Sequence, residues 1–220
     1  MKKVKPKLKQ SDWDKIEKEF LAGLSLYFSE IHLSIKNLRK NKDNPFVRSQ
    51  LCLAFIGVDT FSRFYKIFKG ERKNIDAKNE KRFKEWLKSF VFTKENEVYK
   101  KYRSKIKCDA NVAYKMRNSF LHFYSFPRTK KGQSKICFYF GNISEQRHNE
   151  IEKKFKERGH NVVFINAYFL IEAILEGFLL QLNKMKEIIK KDPNNYIDSV
   201  LFAHEIIRQE NASTILINRI

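Results

Sequence analysis

Glycine and proline are scarce in this chain, which has only seven glycines and four prolines among its 220 residues. Because these two residue types end helices and form tight turns, their scarcity argues against a loop-rich β-sandwich and favours long uninterrupted helices. Hydrophobic residues make up 42% of the chain and phenylalanine contributes 20 of them, which excludes a disordered polar chain. A chain of this length can bury a core of its own, as one domain or as one domain with an elaboration.

The charge of the chain is unbalanced, because 45 lysines and arginines stand against 25 acidic residues and give a formal net charge of +20. Such an excess attracts polyanions, and nucleic acid is the usual partner. The alternative is a bias in the coding DNA, which explains abundant lysine but not the deficit of acidic residues. We therefore expect the protein to bind a polyanion.

Cysteine usage and targeting signals bear on where the protein works. Cys52, Cys108 and Cys137 are far apart and odd in number, which predicts neither a disulfide framework nor a thiolate metal site. Residues 1–9 are basic but are not followed by the apolar run of a signal peptide. The most apolar region, residues 162–182, is interrupted by polar and acidic residues, so it should not cross a membrane. We expect a cytoplasmic protein with no metal and no cofactor.

Apolar periodicity predicts helices over most of the chain, behind a basic arm at residues 1–10. The expected helices cover residues 11–39, 45–69, 76–92, 109–124, 144–158, 166–190 and 196–209, with a weaker pattern at 93–107. The predicted helix at 166–190 is apolar almost all round, so it should lie at the centre of the bundle.

Several residues suit the starts of these helices. Ser11 can cap the first helix, and Asn44-Pro45 can start the second one with a cap and a first-turn proline. Either Asp109 or Asn111 can cap the helix that follows them, and Asn166 is a plausible cap for the apolar helix.

The pattern changes between residues 126 and 165. Residues 135–140 predict a strand, and residues 162–165 predict either a second strand or the first turn of the next helix. The chain should therefore be all-α in class, with one domain over residues 11–220. Its architecture should be an antiparallel helical bundle that carries a small β-containing insertion at about 126–165.

One predicted helix places polar side chains among apolar neighbours, at Arg117, Asn118, His122 and Tyr124. Burying such groups without partners costs about 1–3 kcal/mol each, so Arg117 must either face a carboxylate or open onto a wet cleft. The string Arg117-Asn118-x-x-x-His122 resembles the R-(N/D/H)-x-x-x-H signature of HEPN domains, helical bundles found in many prokaryotic ribonucleases. Extended by Tyr124, it resembles the R-x4-H-x-Y pattern of HEPN toxins.

The resemblance implies a metal-independent endoribonuclease that works as a homodimer and leaves 2′,3′-cyclic phosphate and 5′-hydroxyl ends on RNA. It also implies a toxin or antiviral effector, with a nucleotidyltransferase-type antitoxin that AMPylates the residue matching Tyr124. Ordinary packing is the alternative role for Tyr124. The insertion has no counterpart in the smaller toxins of the family.

The residues of the motif can perform this chemistry. The unperturbed pKa of histidine is about 6.5, so His122 can act as base or acid at neutral pH. Arg117 is always charged, and its planar fork suits a phosphate. Asn118 can fix the imidazole or hold a phosphate oxygen. The plain alternative is that Arg117 is paired with a buried acid and that His122 is an ordinary core histidine.

Helix geometry constrains how Arg117 and His122 can meet. At about 100° per residue they point about 140° apart, whereas Asn118 and His122 share a face. Either Arg117 reaches round with its long stem, or two copies of the helix meet across a two-fold axis and form a composite cleft. The resemblance favours the second arrangement.

Asp59 is the other residue that stands out, because it follows the apolar run 51–58. A buried carboxylate needs a cation, and either Arg63, one turn on, or Arg117, across the bundle, can supply it. We expect Asp59 to support the site if Arg117 is its partner.

Two basic stretches are candidate RNA contacts. Arg128, Lys130 and Lys131 form a basic loop just after the motif, which either holds the phosphate backbone or is a solvated turn. The run 94–107 combines cations with two tyrosines and is either an RNA-facing strip or a solvated helix face. Two readings other than an enzyme remain open, a non-catalytic RNA- or nucleoprotein-binding module and a structural bundle with an accidental motif.

Overall fold

The computed structural model describes residues 9, 11, 16–40, 46–71, 79–123, 135–139, 144–159, 162–192, 195–196 and 198–206. These residues are mostly helical, which confirms the all-α class. After a π-helical turn at Ile16–Leu21, the helices are α1 (Ala22–Arg39), α2 (Val47–Phe68), α3 (Asn79–Phe90), α4 (Glu97–Ile106), α5 (Ala110–Phe123), α6 (Glu145–Glu157) and α7 (Ala167–Lys191). The strands are β1 (Lys135–Tyr139) and β2 (Val162–Asn166). Residues 195–196 and 198–206 are also helical, where the last helix was predicted.

The start of α2 differs from the prediction. The helix begins at Val47, and the residue before it, Phe46, has φ 46° in the left-handed region. An α-helix cannot continue through a left-handed residue, so α2 does not extend back to Asn44 and Pro45. Those two residues lie outside the described ranges.

The weakly predicted helix in the 93–107 run is α4, and contacts from other helices hold its start. Asn96 is fully buried, and its side chain accepts from the backbone N–H of Tyr99 at 2.8 Å. The same side chain donates to the carbonyl oxygens of Phe90 and Ala173 at 2.9 and 2.8 Å. Glu176 on α7 accepts from the first backbone N–H groups of α4, at 3.1 and 2.8 Å. The cap of α4 is therefore partly tertiary, which sequence periodicity cannot register.

The insertion contains a two-stranded parallel sheet. β1 pairs with β2 in a register that sets Lys135 opposite Val162 and Tyr139 opposite Asn166. Helix α6 lies between the two strands in the chain, as parallel pairing requires. The strand alternative for residues 162–165 is confirmed, and Asn166 then caps α7 by accepting from the backbone N–H of Phe169 at 3.3 Å.

Helices α2 and α7 form the centre of the bundle. α2 contacts α1, α3, α5 and α7, and α7 contacts α1, α2, α3 and α4. The two helices approach closely at Gly57, where an added Cβ would lie 2.7 Å from the ring of Phe178. That ring stacks on Phe61 with a centroid separation of 4.4 Å. Because Gly57 precedes Asp59 by two residues, this packing fixes where α2 presents Asp59.

Candidate active site

Helix α5 is built so that its apolar face is buried and the motif lies at the edge of that face. Asp109 begins it by accepting from the backbone N–H groups of Asn111 and Val112, both at 2.8 Å. Ala113, Met116 and Phe120 follow at helical spacing and are at most 1% exposed. Arg117 and Asn118 come directly after Met116 and are half-buried. Helix α5 packs on α2 and α3.

Arg117 donates to Asp59 across the bundle. Its Nε and Nη2 atoms both donate to Oδ2 of Asp59, at 2.9 and 2.6 Å. The side chains of Arg117 and Asp59 are only 13% and 20% exposed. Arg117, one of the two cations open to Asp59 in the sequence, therefore donates to its carboxylate. These bonds hold the guanidinium in a fixed orientation.

The same guanidinium is bonded to Asn118. Nη1 of Arg117 donates to Oδ1 of Asn118 at 3.0 Å. Helix α5 stays helical through His122, so position 122 lies one turn after Asn118 on the same face. Arg117 is thus bonded to Asn118, the residue that shares a face with position 122.

Some of the predicted site lies outside what the structure describes. This applies to Tyr124, Arg128, Lys130 and Lys131, and to the side chain of His122. Their roles stay predictions.

Two opposed effects act on the pKa of the Asp59 carboxyl group. Burial raises its pKa above the ordinary value, although hydrogen bonding and charge from Arg117, and the charge of Arg82, act in the opposite direction. Both hydrogen bonds from Arg117 reach Oδ2, whereas Oδ1 is buried and has no hydrogen-bond partner among the described residues. Burial disfavours the charged form of a carboxyl group, and an unpaired oxygen adds to that cost. The ion pair therefore forms against a desolvation penalty on Asp59.

Arg82 on α3 is a buried cation beside this pair that we did not single out in the sequence. It is 6% exposed, and its Nε donates to Oγ of Ser62 at 3.2 Å while Nη2 donates to Oδ1 of Asn79 at 3.1 Å. Ser62 lies one turn after Asp59, and its hydroxyl donates to the Asp59 carbonyl oxygen at 3.0 Å. The sequence does indicate that Arg82 is buried. It precedes Trp86 by four positions, so it falls on the apolar stripe of α3.

The tyrosines of the 94–107 run are engaged in packing. Tyr102 stacks on Phe169 with ring centroids 3.8 Å apart, and Tyr99 meets Phe92 edge to face at 5.3 Å. Lys100 and Lys101 are exposed on the same helix. Both tyrosine rings of α4 are therefore engaged with other aromatic rings, whereas Lys100 and Lys101 are open to solvent.

Within the described ranges, the His, Cys, Asp and Glu residues form no cluster of three or more that could hold a metal ion. In that same part of the chain, none of the helices has the length and apolar character that crossing a membrane would require.

Comparison of the chain with protein families, with curated proteins and with solved structures gave no match. The resemblance to HEPN domains therefore rests on the motif and its helical setting in this chain.

Proposed function

We propose that the protein is a metal-independent endoribonuclease of the HEPN type. Arg117 and His122 act on the scissile phosphate, Asn118 supports them, and Asp59 positions Arg117. The observation that carries the proposal is the hydrogen-bonded chain from Asp59 through Arg117 to Asn118, on a helix whose position 122 lies one turn further on.

The way Arg117 is held supports a role in binding phosphate. A guanidinium has five N–H donors, and three of those of Arg117 are engaged with Asp59 and Asn118. The remaining two, one on each Nη atom, have no acceptor among the residues that the structure describes. A planar pair of N–H groups matches two oxygens of a phosphate. Asp59 thus orients the arginine while part of its fork remains available.

The chemistry proposed for RNA needs only a proton acceptor, a proton donor and a cation. His122 removes the proton of the ribose 2′-hydroxyl, whose oxygen then attacks the adjacent phosphorus as the bond to the 5′-oxygen breaks. The leaving oxygen takes a proton from a second His122, supplied by the other copy in a homodimer, which we also propose. Arg117 stabilises the charge that develops on the phosphate oxygens.

The excess of positive charge supports RNA as the substrate. A net charge of +20 raises the local concentration of a polyanion and speeds its association, independently of sequence. The lysines exposed on α4 belong to this excess.

The test is cleavage of a labelled RNA in the presence of EDTA by wild type and by variants. We expect His122→Ala to slow cleavage by about 10²–10⁴-fold, because it removes the acid–base group. His32→Ala is the matched control, because His32 is an exposed histidine on α1, a helix that carries none of the proposed site residues. We expect this control to cleave within about twofold of wild type, as surface substitutions usually have small effects.

Three results would contradict the proposal. EDTA could abolish the activity, His122→Ala could cleave as fast as wild type, or His32→Ala could lose as much activity as His122→Ala. RNA binding by wild type without any cleavage would favour the alternative of a non-catalytic RNA-binding module. Circular dichroism of each variant separates loss of chemistry from loss of folding.

A further inference from the structure

A cavity of about 300 Å³ lies between α2 and α3, outside the motif. Its wall on the α2 side includes Ser62, Lys66 and Lys69, and its wall on the α3 side includes Arg82, Lys88 and Ser89. The volume is at the lower end of the range of small-ligand sites, roughly 300–1,000 Å³.

The charged side chains around the cavity are mostly cations. Lys66, Lys69, Arg82 and Lys88 line it, against one acidic residue, Glu85. This excess favours an anion as the occupant.

The cations at the mouth of the cavity are not all equally available. Lys66 is bonded to Glu71 and Glu85 through its Nζ, at 2.8 Å in each case. Lys69 and Lys88 are exposed, and neither forms an ion pair with a carboxylate of the described residues. Nζ of Lys69 lies 4.5 Å from the ring centroid of Tyr65. Lys69 and Lys88 are thus two cations that an incoming anion can reach.

The inner wall supplies a fixed cation and a hydroxyl group. Arg82 and Ser62 are 6% and 1% exposed and are bonded to each other through Nε and Oγ, so their positions are set by packing. Ser89 adds an exposed hydroxyl on the α3 side. Lysine ammonium, guanidinium and hydroxyl groups together are the side chains that bind phosphate oxygens in proteins.

We propose that this cavity binds a phosphate group, carried either by a free nucleotide or by an RNA strand. Lys69 and Lys88 contact the phosphate at the mouth, and Arg82 supplies the buried positive charge behind them. The site goes beyond the proposed ribonuclease activity, because none of Arg117, Asn118 and His122 lines it. It is nonetheless adjacent to that site, since Arg82 also acts on the charge of Asp59.

The test compares Lys69→Ala/Lys88→Ala with the control Lys36→Ala/Lys186→Ala. The two double variants lose the same charge, and all four lysines are exposed, so bulk electrostatics changes equally in both. Binding is measured in the His122→Ala background, so that cleavage neither consumes the RNA nor decides the result. The probes are AMP and adenosine by isothermal titration calorimetry, and a labelled single-stranded RNA by fluorescence anisotropy at several salt concentrations.

If the bound phosphate belongs to a free nucleotide, AMP binds at least about tenfold more tightly than adenosine, and Lys69→Ala/Lys88→Ala removes that preference. If it belongs to an RNA strand, AMP binds weakly, and the same variant loses about tenfold in RNA affinity. The slope of log affinity against log salt then falls by about 1.4, the value for two phosphate contacts on a single strand.

The proposal is overturned if Lys69→Ala/Lys88→Ala binds both AMP and the RNA as tightly as the control double variant does. It is also overturned if AMP and adenosine bind equally well and RNA affinity is unchanged. Neither result bears on cleavage by Arg117 and His122, so this inference can fail while the proposed activity stands.

Discussion

Asp59 and Arg117 illustrate at the scale of single residues how a polar pair is accommodated in an apolar bundle. The carboxylate fixes the guanidinium through two hydrogen bonds to one oxygen. Its own charge is disfavoured by burial, which outweighs the help from Arg117 and Arg82. Burying an ion pair often costs about as much as the attraction returns, so stability alone does not account for such a pair. Positioning Arg117 is a function that would account for it.

The raised pKa of Asp59 predicts how stability depends on pH. A folded-state pKa above the unfolded value of about 3.9 means that the contribution of Asp59 is present in acid and is lost as pH rises through the folded pKa. We therefore expect wild type to lose stability relative to Asp59→Asn as pH rises above about 4. Urea unfolding of both proteins across this range, followed by circular dichroism, measures the difference. A difference that grows in favour of wild type would mean that the folded pKa is lowered instead.

At this scale the sequence indicates which residues need partners but not always which partner each one takes. That Arg117 faces a carboxylate or a wet cleft follows from the cost of burying it, and Asp59 follows from its place after an apolar run. The choice between Arg63 and Arg117 depends on how α2 and α5 pack, which no local pattern contains. The need of Arg82 for partners could have been predicted in the same way, because it is a cation on the apolar stripe of another helix.

Among the elements, α2 and α7 depend on close approach at Gly57. An added methyl group would lie 2.7 Å from the ring of Phe178, which is itself fully buried and stacked on Phe61. We expect Gly57→Ala to destabilise the protein by about 2 kcal/mol, because the 2.7 Å approach places overpacking near the upper end of its range of about 1–3 kcal/mol and helix propensity returns at most about 1 kcal/mol. Denaturant unfolding measures this loss.

The matched control for Gly57→Ala is Ile56→Ala, one position earlier on the exposed side of α2. Ile56 is 47% exposed, so truncating it should change stability by about 0.5 kcal/mol or less. Equal stability losses in the two variants, or no loss in Gly57→Ala, would show that the helices do not approach as closely as described.

The elements themselves were largely predictable, and each departure has a physical cause. Periodicity predicted the helices at 109–124 and 166–190 because their apolar faces are long and regular. It gave only a weak signal for α4 because Asn96 and Glu176 hold its start through contacts with other helices. It gave too early a start for α2 because the left-handed conformation of Phe46 leaves no periodic trace.

At the scale of the whole molecule, charge and the motif point to the same substrate. The net charge of +20 attracts any polyanion. The motif instead bears on the cleavage reaction proposed for the bound polyanion. Neither feature specifies an RNA sequence, because contacts with phosphate position a nucleic acid without reading its bases. If the proposed cleavage occurs, selection of the cleavage site must then come from RNA structure or from base contacts elsewhere on the protein.

The central claim is that Arg117 and His122 cleave RNA through its own 2′-hydroxyl. The most direct measurement compares, in EDTA, the products from an RNA strand and from the same sequence with 2′-deoxyribose at every position. The account predicts that the RNA is cut to 2′,3′-cyclic phosphate and 5′-hydroxyl ends, while the deoxy strand binds but stays intact. Cleavage of the deoxy strand, or RNA products with 5′-phosphate ends, would contradict it.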